Sequence, residues 1–163
     1  MQYRIDGANL PVLKLLLEQG EHVECEAGAM SWMDDEIVMQ TQAGGVGKML
    51  GRMVTKENAF MNTYFANARG EIAFSSKFPG SIRAMEIRPG QGLIVQKGSF
   101  LASYGDIQSE VHVQQKIGGG LFGGEGFLMR RFTGNGIVFL EVDGSAHEYE
   151  IAPGDCKIID TGY

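Results

Sequence analysis

Cysteine, histidine and long apolar runs are all scarce in this chain. Cys25 and Cys156 are its two cysteines among 163 residues. Two so widely spaced make neither a disulfide framework nor a zinc pattern. They are expected to be reduced thiols in or near a core. The three histidines, His22, His112 and His147, form no His-x-His pair. A metal site inside a β-barrel needs two or three His converging with a carboxylate. His22 with Glu24 and Glu26 is the best-placed set, because residues two apart share one face of a strand. A solvated polar face is the simpler reading, and no metal or cofactor is assigned. The shortage of histidine also leaves Ser–His and Cys–His nucleophile schemes without a base. No catalytic residue follows, and the chain is expected not to be an enzyme. No apolar run approaches the ~20 residues of a membrane helix. No charged-then-apolar leader opens the sequence, so a cytoplasmic location is expected. With 14 Lys and Arg against 20 Asp and Glu, the net charge is −6. That balance argues against a dedicated nucleic-acid binder, which needs a cationic surface.

Glycine is abundant, with 24 residues, about twice the usual share. It falls at matched places. Leu17-Glu18-Gln19-Gly20 leads to Gly28, Ile87-Arg88-Pro89-Gly90 to Gly98, and Ile151-Ala152-Pro153-Gly154 to Gly162. In each copy two glycines stand eight residues apart, and the copies are spaced by 70 and then 64 residues. Between the glycines of the first copy, Val23, Cys25 and Ala27 alternate with Glu24 and Glu26, the period of a strand with one buried face. Leu93-Ile94-Val95 and Ile158-Ile159 are more apolar and predict strands covered on both faces. Pro89-Gly90 and Pro153-Gly154 are turn signals.

A second block repeats as well. Phe60 to Phe65 followed by Gly70 to Phe74, and Phe127 to Phe132 followed by Gly134 to Leu140, each read as strand, Gly/Asn turn, strand: a β-hairpin. Gly-rich stretches precede both, at Gly44 to Gly47 and Gly118 to Gly124. Leu13 to Leu17 is expected to be a strand from its place before a repeated turn. The fold expected is all-β, a double-stranded β-helix or barrel-like sandwich built from internal repeats, with at most one short helix. One β domain spans 1–163, with repeated units at about 12–30, 44–100 and 118–163. The repeat's logic expects a further loop and hairpin after Tyr163, so the chain is expected to be truncated at its C-terminus.

Glu21 to Ala29 followed by Met30, and Gly119-Gly-Leu-Phe-Gly-Gly-Glu-Gly-Phe127 with Thr133-Gly134, resemble the mitochondrial biogenesis family named for altered-inheritance-of-mitochondria protein 24. The prokaryotic branch of that family was formerly a domain of unknown function. The resemblance covers nearly the whole chain. It implies a double-stranded β-helix related to the tryptophan RNA-binding attenuator protein. It also implies oligomer formation and, in mitochondria, a role in inner-membrane organisation. It supplies no catalytic residues, and family members usually run further.

Other motifs dissolve on inspection. Gly118-x-Gly120-x-x-Gly123, with Asp143 20 residues on, matches a dinucleotide fingerprint in letters. That fingerprint must close a strand and open a helix, whereas strands are expected on both sides here. Gly47-Lys48 lacks the hydroxyl residue and the earlier glycine of a phosphate loop, having Met49 and Gln42 there. Arg130 and Arg131 adjoin on a strand and so face opposite ways. Two local features remain as candidate interaction sites. Gly47 to Asn58 predicts a short helix on which Lys48, Arg52 and Lys56 recur at i, i+4, i+8 beside Met49 and Met53. Such a face suits a partner or an anionic membrane surface. Glu125 sits alone in its Gly-rich loop between Phe122 and Phe127, as a partner-contact loop would have it. The function expected is a non-enzymatic oligomeric scaffold or interaction protein. The alternatives are a peripheral membrane-associating protein using 48–56, or a small-ligand or RNA-binding module.

Overall fold

A computed structural model describes residues 1–40, 61–113 and 128–159. It is all-β, as the sequence predicts. The strands are β1 (Gln2–Asp6), β2 (Val12–Leu17), β3 (His22–Glu26), β4 (Met30–Met33), β5 (Ile37–Gln40), β6 (Met61–Ala66), β7 (Gly70–Ser75), β8 (Gly80–Ile87), β9 (Gly92–Gln96), β10 (Phe100–Val113) and β11 (Leu128–Asp143). A 3-10 turn at Lys97–Ser99 separates β9 from β10. A four-stranded sheet runs in the order β1-β2-β7-β4. A seven-stranded sheet runs β5-β6-β3-β10-β11-β8, with β9 also paired to β11. Every pairing is antiparallel. The two sheets pack face to face as an open sandwich and do not close into a barrel.

Period-two alternation places the core. Leu13, Leu15 and Leu17 of β2 and Ile72 and Phe74 of β7 point inward from the small sheet. They meet Val23, Cys25, Tyr64, Leu101 and Phe139 of the large one. Tyr64 stands edge-on to Phe74 across the interface, ring centres 6.5 Å apart. Burying side chains of this size supplies roughly 1.5–3 kcal/mol each. The intervening Lys14 and Leu16 of β2, and His22 and Glu24 of β3, take the half-buried opposite face.

The large sheet buries its other face too, through Phe100, Phe132, Val138 and Leu140 with Ile87 and Ile107. A crease in the β10–β11 ribbon makes this possible. Phe100 pairs with Leu140 and Ser109 with Phe132 in one ladder, so Phe100 and Phe132 lie eight rungs apart. A straight ribbon would separate them by about 27 Å. Their rings instead stack at 5.0 Å. The fold-back passes through Gly105 (φ 97°), Gly134 (φ 121°) and Gly136. There the backbones touch. A Cβ on Gly136 would overlap the Tyr104 carbonyl oxygen, and one on Gly134 that of Asp106.

Several expected features take another form. β6 and β7 are not a hairpin: β6 pairs with β3 and β5 in the large sheet, while β7 pairs with β2 and β4 in the small one. Gly70 is buried against Asp34 and Ile37 at the start of β7 rather than sitting in a turn. Residues 128–143 are one creased strand, because Gly134-Asn135-Gly136 bends the ribbon without reversing it. β9 is covered on one face only, with Ile94 48% exposed. Ile158 and Ile159 form no strand and are exposed. Cys156 is exposed as well, outside any core.

Candidate interaction surface

The three repeated turns share one geometry. Glu21 N–H donates to the Glu18 carbonyl at 3.0 Å, Gln91 N–H to Arg88 at 2.9 Å and Asp155 N–H to Ala152 at 3.0 Å. Gly20, Gly90 and Gly154 hold the left-handed position at φ 83°, 85° and 96°. Open space surrounds all three, so backbone conformation rather than room requires glycine. Their surroundings differ. The first turn passes from the small sheet to the large one and is tied to β6, where Gly20 N–H donates to the Ala66 carbonyl and Ala66 N–H to that of Glu21. The second joins β8 to β9, both laid along β11. The third sits in an arm, 145–159, with no strand partner among the described residues.

The arm matches 81–95 at an offset of 64 residues, with Ser81/Ser145, Glu86/Glu150, Ile87/Ile151, Pro89/Pro153, Gly90/Gly154 and Ile94/Ile158 identical. Its side chains are almost all exposed, including Tyr149 at 63% and Ile158 at 95%. Lys157 reaches back across the turn and places its ammonium 3.8 Å from the Tyr149 ring centre. The equivalent positions of the second copy, Met85 and Leu93, line one shallow pocket of ≈ 340 Å³ with Ile87 and Gln91. On the other flank of that corner, Pro89 to Gln91 face Asp106, Arg131 and Asn135 of the crease across a groove of ≈ 370 Å³.

Glu21 anchors the first turn. Its carboxylate accepts hydrogen bonds from the Tyr104 hydroxyl at 2.5 Å, the Met1 ammonium at 2.8 Å and the Glu18 N–H at 2.9 Å. Burial works to raise the Glu21 pKa, but the bonds from Met1, Tyr104 and Glu18 outweigh it and hold the carboxyl below its usual range. The Tyr104 phenol is pushed up to about 12, first by its hydrogen bond to Glu21, then by burial and the carboxylate's charge. Cys25 is also pushed up to about 12, by burial and then by the charges of Glu26 and Glu24. That thiol is not a nucleophile at neutral pH. Arg130 is buried with its guanidinium over the Phe100 ring at 5.4 Å, and it donates to Met61 Sδ at 3.2 Å. Burial lowers its pKa and the Glu26 charge partly restores it. Arg131 emerges on the opposite face near Glu110, at 3.6 Å. Buried Glu141 accepts from Ser76 Oγ at 3.2 Å and from the Lys77 N–H at 3.1 Å, fixing the entry to β8.

His22, Glu24 and Glu26 do share one face of β3, half-buried rather than fully solvated, and His22 stacks on Phe65 at 5.3 Å. Among the described residues no three His, Cys, Asp or Glu side chains come together as a metal site. The candidate residues Lys48, Met49, Arg52, Met53 and Lys56, the helix expected around them, and Phe122, Glu125 and Phe127 lie outside the described residues. No helix among the described residues is long and apolar enough to cross a membrane. The arm and the β8–β9 edge were not singled out from sequence. Their signal was the 64-residue offset itself, extended beyond the Pro-Gly pair.

Among the described residues, open edges, a creased ribbon and repeated turns define a β-sandwich protein. The family model described as mitochondrial biogenesis AIM24 matches residues 3–163, and the chain belongs to that family. No curated protein matches it. Among solved structures it is similar to a crystal structure of a protein from Streptococcus pyogenes, with 27% identity and a TM-score of 0.69. The match covers 88% of this chain and 65% of that one, so the chain spans about two thirds of that protein's length.

Proposed function

We propose that this protein is a non-enzymatic scaffold or interaction protein that works as a homo-oligomer. One observation carries the reading. Among the described residues the edge strands β4, β5, β8 and β9 carry Trp32, Val38 and Met39, Met85 and Ile94 in solvent. An extended segment with unpaired backbone groups and exposed apolar side chains favours addition to a sheet edge. Native mass spectrometry of the purified chain tests this. A discrete oligomer without added mass supports the reading. A monomer at micromolar concentration overturns it, and a monomer carrying a retained small molecule turns attention to ligand binding.

A further inference from the structure

We propose that the outward face of the four-stranded sheet is a saccharide-binding platform, on which the Trp32 ring takes the flat C–H face of a neutral pyranose. One ladder row crosses the whole sheet. Arg4 pairs with Lys14, Lys14 with Ala73 and Ala73 with Trp32. Along β2 and β7 this row alternates with the inward Leu13, Leu15, Ile72 and Phe74. The register shifts between Met30 and Trp32. Met30 and Met33 on either side pack against the core, so the shift turns Ser31 and Trp32 together to the outward face. A bulge of this kind re-aims a side chain without ending the sheet. The tryptophan is 44% exposed, while Ala73 beside it is fully buried. Lys14 holds its ammonium 5.7 Å from the indole centre, a cation–π contact that helps to fix the ring.

The polar groups around the ring set the ligand class. On the strands of this face Arg4 and Lys14 stand against Asp6 and Glu71, so the charges balance. Asp6 engages both cations, at 3.1 and 3.0 Å. A phosphate or carboxylate ligand needs an uncompensated cation, which this balance does not offer. Ser31 Oγ donates to Ser75 Oγ at 2.7 Å and accepts from the Ser75 N–H at 3.1 Å. That arrangement leaves the Ser75 hydroxyl proton to be donated outward. Glu71 and Ser75, two residues either side of Ala73, thus bring an acceptor and a donor to the same face. Such a mixture around an aromatic ring suits a ligand that is apolar on its flat face and hydroxylated at its rim. A face so stocked with charge is a solvated one and does not await a further core layer. Strand addition at β4 would use its backbone edge, whereas the indole stands on the sheet face, so this proposal is independent of the oligomer reading.

Trp32 is the chain's one tryptophan, so its fluorescence reports on the site directly. The test titrates the full chain with cellohexaose, maltohexaose and chitohexaose, and separately with ATP and with phosphatidylglycerol vesicles. A saturable blue shift of the emission is expected with at least one hexasaccharide at millimolar concentration or below. Calorimetry then follows the variants that lack the indole. Trp32→Ala should weaken binding about tenfold or more, as loss of a central aromatic anchor does. Trp32→Phe keeps a smaller ring and should retain part of the affinity, and Ser75→Ala should cost a few-fold. Circular dichroism of each variant shows that folding is unaffected. A flat response to all of the hexasaccharides overturns the proposal, and so does sugar binding that survives Trp32→Ala. A response to ATP alone or to vesicles alone also overturns it, assigning the ring to base stacking or to a lipid surface. The mass of the assembly is a separate readout, so a monomer that binds sugar removes the oligomer reading and leaves this one standing.

Discussion

Residues 81–95 and 145–159 carry the same turn and share six residues, yet one lies along β11 as two strands and the other has no strand partner among the described residues. The first segment buries Ile87, while its counterpart Ile151 is 52% exposed. The turn forms in both, because Pro and a left-handed Gly fix it locally. The strands form in one, because a strand exists by virtue of the ladder beside it. The difference teaches that this repeat unit encodes a corner, and that its surroundings decide whether the corner's flanks become sheet. The first copy adds a third condition, since Glu21 pins its turn to Tyr104 and Met1 through side chains.

The largest effect should come from destroying the surface on which the second copy lies. Gly136→Ala drives a Cβ into the Tyr104 carbonyl at the crease and is expected to cost about 3 kcal/mol or more. Urea unfolding would read this as a large drop in midpoint. Next comes a matched pair. Ile87→Ala empties a buried position and should cost about 2–4 kcal/mol. Ile151→Ala should stay within about 0.5 kcal/mol. Equal losses would show that the arm is packed in the folded chain. A gentler pair uses the turn glycines. Gly90→Ala imposes a left-handed conformation on alanine and should cost about 1 kcal/mol. Gly154→Ala should leave the thermal midpoint unchanged, because no described strand pairs with 145–159 and its backbone can relax.

The smallest effect concerns the anchored first turn and appears as a pH dependence. Tyr104 has a folded pKa of about 12, above the ordinary value of about 10. Its contribution is therefore complete below that ordinary value and is lost as pH rises through the folded one. Glu21 has the opposite sign. Its folded pKa lies below the ordinary carboxylate value, so its contribution is complete above that value and fades as pH falls through the folded one. Stability profiles of Tyr104→Phe and Glu21→Gln should be flatter than wild type on the alkaline and acid limbs respectively. A wild-type slope surviving in both variants would assign the titration to other groups.

Much of the fold was legible in the sequence, wherever the signal was local and one face was buried. β2 and β3 follow from Leu13 to Leu17 and from the alternation around Val23 and Cys25. The two misread hairpins failed for a non-local reason. Gly134-Asn135-Gly136 has the composition of a tight turn, and a crease needs the same permissive backbone. What separates the two is Gly105, some thirty residues away, which lets β10 bend in step. Likewise 61–75 has two strands and a short connection, but the inward leucines of β2 draw β7 to the small sheet while β3 holds β6 in the large one. The candidate interaction residues at 48–56 and 122–127 fall outside the described residues. Ile158-Ile159 has the side-chain pattern of a strand, and pattern alone does not supply a neighbour.

The order of the strands carries a kinetic consequence. Between β2 and β8 the described chain passes from one sheet to the other five times. Neither sheet is therefore a contiguous stretch of sequence, and neither can be completed until distant segments have met. Loops must close before the contacts that reward them exist. Folding should accordingly be slow for the chain's length, on the millisecond-to-second scale of sandwich topologies. Once formed, the two layers should come apart together in one cooperative transition.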